Sequence, residues 1–205
     1  TTTIVNAIAR ATKKPEVFIN GSAVGFYGDR DNEILTESSS QGSGFLAEVV
    51  AQWEDAAMPA AAHTRLVLAR TGLVLGSHGA LKPLKLLTSF CVSGPLAGGK
   101  DWWPWISLTD EVQALAFLIS NDVTGVVNLV GPQAATSSTV MKELATQLKR
   151  PFWLPAPGFA ISLLLGQAGR ELLLSSQRIE PEVLLASGFT FSDSTISEGV
   201  RSALR

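Results

Sequence analysis

The sequence predicts an α/β fold, the later part of a doubly wound parallel sheet followed by a small, mainly helical C-terminal domain. Three observations carry this expectation. Short apolar runs bounded by Gly or Pro recur at Glu16–Ser22, Arg65–Arg70 and Val126–Val130, as strands buried on both faces require. Helically spaced apolar residues separate these runs, so each strand returns to the sheet through a crossover. Beyond Pro132 the helical pattern continues while the strand signal fades.

Each element has its own local reason. Thr1 to Arg10 reads as the middle of a helix, with neither an initiating Met nor the basic start and long apolar core of a signal peptide. The numbering is therefore expected to begin inside a longer protein. The first strand lies between Pro15 and the glycine-rich loop that opens at Gly21. Gly44 to about Ala62 is helical, ending near Pro59. Thr71 and Gly72 close the second strand. Thr109 to Ile119 is a capped helix whose Asp110 and Glu111 suit the positive end of its dipole. Gly131 and Pro132 stop the third strand. Further helices are expected at Thr139–Lys149, Phe159–Leu165, Pro181–Ser187 and Thr195–Leu204, and no internal repeat is visible. Residues 1–76 and 109–131 are accordingly assigned to the sheet domain, and 77–108 and 132–205 to the small substrate-side domain.

Composition narrows the function. Charged residues make up 17% of the 205 positions, below the roughly 25% of typical soluble domains. With a net charge of −2 and scattered Lys and Arg, the chain lacks the electrostatic footprint of a nucleic-acid binder. The lone Cys91 excludes an internal disulfide, and with only His63 and His78 no metal site is expected. No apolar run reaches the ~20 residues that span a bilayer. A soluble protein of a reducing compartment is expected, either bacterial cytoplasm or the interior of a plastid or mitochondrion.

Several motifs are absent or broken. There is no G-x-G-x-x-G or G-x-x-G-x-x-G turn, so the element that cradles a dinucleotide pyrophosphate is not in this chain. Gly94 to Lys100 fits the first seven positions of a Walker A loop, but Asp101 replaces the magnesium-binding hydroxyl and Pro104 forbids the required helix. A turn with close backbone approach is expected there. No G-x-S-x-G elbow exists; His63 ends a helix, His78 sits in a turn, and Asp29 and Asp31 read as solvated loop acids. The informative stretch is Gly21 to Asp29. Its small residues at the carboxyl end of a strand let a ligand lie against the backbone.

That stretch, Ser22 to Asp29, resembles the signature of an atypical epimerase-like family within the extended short-chain dehydrogenase/reductase superfamily. The resemblance continues in order through Phe45 to Glu48, Trp53 and Glu54, Arg70 to Gly76, Gly94 to Leu96, Trp105 and Ile106, Leu154 to Pro157, Leu163 to Gly166, Gln177 and Arg178, Pro181, and Gly188 to Phe191. It implies a Rossmann-like NAD(P)-binding domain whose first strands and glycine-rich turn precede Thr1, with a small C-terminal domain closing a substrate cleft. It also implies that Ser22, Ala23, Tyr27, Arg70, Thr71 and Gly72 lie at the cofactor. On the substrate side it leaves Lys82, Lys100, Trp103 and Trp105.

The departures concern chemistry. In the superfamily a Tyr moves the proton, a Lys four residues later lowers its pKa, and a Ser or Thr aligns the substrate. Here Tyr27, the only tyrosine, is followed at that spacing by Asp31, and no lysine lies between Lys14 and Lys82. The next helix offers Phe45 and Val49, or Leu46 and Val50. The usual Ser/Thr position falls on Ala23. Ser22 and Tyr27 remain as the candidate catalytic hydroxyls. Where sugar-nucleotide enzymes place a phosphate-binding Arg, then a His and an acid, this chain has Trp103, Ser107 and Thr109. Two expectations follow: an NAD(P)-binding oxidoreductase or epimerase acting on a small molecule, or a non-catalytic scaffold whose Trp102–Trp105 region meets the other subunits of a larger complex.

Overall fold

A computed structural model describes residues 1–78, 81–156 and 175–205. Helix α1 (Thr2–Arg10) buries Val5 and Ile8 and leads to strand β1 (Val17–Ala23), which runs directly into a 3-10 turn at Val24–Tyr27. After a short β2 (Ile34–Leu35), helix α2 (Phe45–Ala57) tightens into a 3-10 turn at Met58–Ala62. Pro59 stands at the start of that turn, where a missing amide hydrogen costs little. Then come β3 (Arg65–Thr71), β4 (Leu73–Leu75), α3 (Leu81–Ser89), β5 (Trp102–Trp103), β6 (Trp105–Ser107), α4 (Leu108–Ser120) and β7 (Gly125–Leu129). The chain continues through β8 (Ala135–Thr136), α5 (Ser137–Gln147), β9 (Arg178–Ile179), α6 (Glu182–Ala186) and α7 (Ile196–Leu204).

The three expected strands form one parallel sheet in the order β1-β3-β7, with Ser22 beside Arg70, Ala23 beside Thr71, and Thr71 beside Leu129. Alternation along β3 serves both faces. Leu66 and Leu68 pack with Ala57 of α2, whereas Val67 and Ala69 pack with Ala114 and Leu118 of α4. Helices thus cover the sheet on both sides, and all crossovers deliver the strands with their carboxyl ends at one edge.

A second core lies around α3, α5 and α7, where Leu81, Leu84, Val140, Leu144, Ile196 and Val200 surround Trp103 and Trp105. This corrects the expectation of an exposed tryptophan interface. Trp103 and Trp105 are 3% and 1% exposed, and the Trp105 indole donates to the Gln133 carbonyl at 2.8 Å. Spacing alone does not distinguish an aromatic core from an aromatic surface. The strands β2, β4, β5, β6, β8 and β9 are two or three residues long, too short for a period to register. They pair as β2 with β9, β4 with β6 and β5 with β8. The helix expected at Phe159–Leu165 lies outside the described residues. The Walker-like segment is a turn against the chain at Leu154, where a Cβ on Gly94 would stand 2.1 Å from the Leu154 carbonyl oxygen.

Candidate functional site

The candidate site is the carboxyl edge of the parallel sheet, where β1 ends at Ala23 and β3 at Thr71. Its floor is a buried polar network. Arg70, 3% exposed beside the apolar run Leu66–Ala69, donates Nε and Nη2 to the two carboxylate oxygens of Glu54, each at 2.8 Å. Glu54 comes from α2, on the face that also buries Ala47, Val50 and Ala57. The Ser22 hydroxyl donates to the same Glu54 Oε1 at 2.6 Å. One carboxylate therefore ties together the ends of two neighbouring strands, and the fork geometry fixes the guanidinium plane.

That plane holds the adjoining turn. The Arg70 guanidinium lies 3.4 Å from the Phe26 ring centroid and 4.9 Å from that of Tyr27. The Tyr27 ring is wholly buried, and its hydroxyl donates to Asn128 Oδ1 at 2.7 Å. Burial pushes the phenol pKa up, against the opposing pull of Arg70 and Asn128. Asn128 in turn donates its amide to the Glu180 carbonyl and its backbone N–H to Glu37 Oε1. Gln177 secures the turn from the other side by donating to the Val24 and Gly28 carbonyls at 3.0 and 2.8 Å.

The structure therefore changes the meaning of both hydroxyl candidates. Ser22 stands near the end of β1 and Tyr27 in the turn that follows it, their hydroxyl hydrogens are engaged inside the protein, and Tyr27 presents no surface to a substrate. Ala23, Thr71 and Gly72 are the half-buried residues of the edge. Thr71 donates to Glu111 Oε1 at 2.9 Å; desolvation raises the Glu111 pKa, and its Oε2 has no hydrogen-bond partner among the described residues. Gly72 must be Gly, since a Cβ there would stand 2.1 Å from the Pro104 carbonyl oxygen. Of the substrate-side expectations, Trp103 and Trp105 belong to the core, and Lys82 and Lys100 are exposed, Lys82 on the solvent side of α3.

Sequence reasoning missed Glu54, Asn128, Gln177, Glu37 and Glu111 as site-building groups. Glu54 and Arg70 carried a readable signal: an acid on the buried face of a helix and a base within a buried strand, each demanding a partner. Asp110, the residue after Thr109, is structural. Its carboxylate accepts the Ser107 hydroxyl at 3.0 Å and the backbone N–H groups of Ser192 and Asp193 at 2.7 and 3.0 Å.

An open parallel sheet with small residues at adjoining strand ends suits the nicotinamide end of a dinucleotide, and the sequence holds neither G-x-G-x-x-G nor G-x-x-G-x-x-G for its pyrophosphate. The fold defines the class: a Rossmann-type α/β protein of the extended short-chain dehydrogenase kind. Sequence comparison is more particular. The chain is 39% identical over 203 residues to an epimerase family protein of Mycobacterium leprae and 38% identical to one of Mycobacterium tuberculosis. Each match takes in 98% of the chain and 66% or 67% of the relative, so the chain spans about two thirds of their length. The human epimerase family protein SDR39U1 (isoform 2), solved with NADPH, superposes with a TM-score of 0.93 at 27% identity, covering 98% of this chain and 70% of that one. Residues 156–203 match a domain of unknown function, DUF1731. The chain belongs to this epimerase family.

Proposed function

We propose that this chain supplies the nicotinamide-side wall and the substrate-side domain of an NAD(P)-dependent oxidoreductase or epimerase acting on a small molecule. The observation that carries the reading is the Glu54 clamp, which ties Ser22 and Arg70 and so holds the adjoining ends of β1 and β3 as a rigid ledge. Ala23, Thr71 and Gly72 would touch the cofactor, while Ser22, Tyr27 and Arg70 shape the ledge from behind. The human relative solved with NADPH supports the cofactor class. When bound, the nicotinamide would supply hydride transfer. The test is titration of the full-length protein with NADPH and NADH, followed by energy transfer from tryptophan. Saturable binding is expected, weakened at least about tenfold by Ala23→Phe, a loss of some 1.4 kcal/mol. Failure of both cofactors to bind would sink the proposal.

A second reading rests on the engagement of both hydroxyls and on the absence of a titrating pair at Phe45 and Val49 of α2. On this reading the protein is a scaffold or assembly subunit that keeps its cofactor for stability. Purification from the native source separates the two: stoichiometric recovery in a larger complex favours the scaffold, and hydride turnover by the solitary protein excludes it.

A further inference from the structure

The two most exposed large apolar side chains among the described residues are both aromatic, and hydrogen bonds join the segments that carry them. Phe90 is 73% exposed and Trp153 is 64% exposed. The Trp153 indole donates to the Cys91 carbonyl at 3.2 Å, and its backbone N–H bonds to the Ser93 carbonyl. The segment carrying Trp153 is thereby fastened to the end of α3. Helical spacing extends the face: α3 buries Leu81, Leu84 and Thr88, and its opposite side places Lys82, Leu86 and Phe90 in one row with Leu87 beside it. Leu86 and Leu87 are 59% and 48% exposed, and Leu154 continues the surface beyond Trp153.

Charge is distributed just as unevenly. Although the whole chain is net −2, no Asp or Glu occurs between Asp55 and Asp101, nor between Glu143 and Glu171. Both segments that build the face are therefore free of acids. Their bases remain: Lys82 and Lys85 on α3, and Lys149 and Arg150 at the start of the stretch that carries Trp153. Glu143, the nearest acid along the chain, is engaged elsewhere, accepting from Gln147 and from Ser197 of α7.

Exposed aromatics and leucines bordered by Lys and Arg are the composition that settles in the headgroup region of a membrane. We propose that the face formed by α3 and residues 149–154 docks the protein peripherally on an anionic lipid surface. Phe90 and Trp153 enter the interface, and the four bases pair with lipid phosphates. No described helix is long and apolar enough to cross a membrane, so the attachment is reversible. This inference is independent of whether the strand-end ledge binds a nicotinamide cofactor.

Co-sedimentation of the full-length protein with phosphatidylcholine vesicles, with and without about 30% phosphatidylglycerol, tests it. Binding is expected to the anionic vesicles only, and to fall as salt rises. The pair Phe90→Ser and Trp153→Ser should lower partitioning by at least about tenfold through lost apolar insertion. Lys82→Glu with Lys149→Glu should lower it by at least about tenfold through charge. Val112→Ser with Ile119→Ser, on the exposed side of α4, should leave it unchanged, and melting curves establish that each variant is folded. Equal binding to neutral vesicles, no binding to anionic ones, or full retention by the Phe90/Trp153 variant would overturn the proposal. So would a concentration-dependent dimer dissolved by the same two substitutions, which would assign the face to a second copy of the chain.

Discussion

Arg70 lies in a strand whose other buried residues are Leu66, Val67, Leu68 and Ala69, and a charge there is tolerable only because Glu54 meets it in a two-point fork. Arg70→Met should therefore destabilise the protein by about 3–5 kcal/mol, because Glu54 would remain buried without its counter-charge. Urea unfolding measures this, and a loss under about 1 kcal/mol would mean that water screens the pair. Tyr27→Phe should cost about 1–3 kcal/mol by stranding the Asn128 oxygen, yet leave NADPH affinity unchanged. Loss of affinity in that variant would return Tyr27 to the active site. Glu37 and Glu111 titrate against the usual trend, since burial raises both above their ordinary value of 4.5. Below that value both groups are protonated in either state. As pH rises through 4.5 toward their raised folded values, the folded state holds protons that the unfolded chain has released, so stability falls. Glu111→Gln should remove part of this fall, and its advantage in Tm over the natural protein should grow between pH 4.5 and neutrality.

At the scale of elements, α7 shows how packing overrides propensity. Gly199 in that helix would ordinarily gain up to about 1 kcal/mol on replacement by Ala. Its Cβ, however, would stand 2.5 Å from a ring carbon of the buried Trp105. Overpacking a rigid indole costs about 1–3 kcal/mol, so Gly199→Ala should destabilise, and a higher urea midpoint would refute the contact. The start of the same helix rests on a capping box in which Thr195 Oγ1 accepts from the Glu198 backbone and the Glu198 carboxylate accepts from the Thr195 backbone. The sequence places the helix start correctly because Thr195 and Glu198 have the spacing that box requires. The Trp102–Trp105 strands show the opposite case. Three tryptophans interrupted by Pro104 have no readable period, and only packing among α3, α5 and α7 shows Trp103 and Trp105 as core.

For the whole molecule, the strand-end ledge predicts linkage between cofactor and stability. NADPH at about a hundred times its dissociation constant should stabilise the full-length protein by about 2.7 kcal/mol, readable as a rise in Tm. An unchanged Tm would disconnect the fold from the cofactor. The sequence by itself determined the parallel sheet, its three strands and the crossover helices, because a strand buried on both faces must be continuously apolar and a helix facing the sheet must repeat every three to four residues. It also determined the family, through the ordered run of segments from Ser22 to Phe191. Only the tertiary structure decided what the polar residues do. Glu54 meets Ser22 and Arg70 across 32 and 16 residues, and Tyr27 meets Asn128 across 101. Such pairings are set by how the helix lies on the sheet and have no local period. They engage both candidate hydroxyls, of Ser22 and Tyr27, in buried hydrogen bonds.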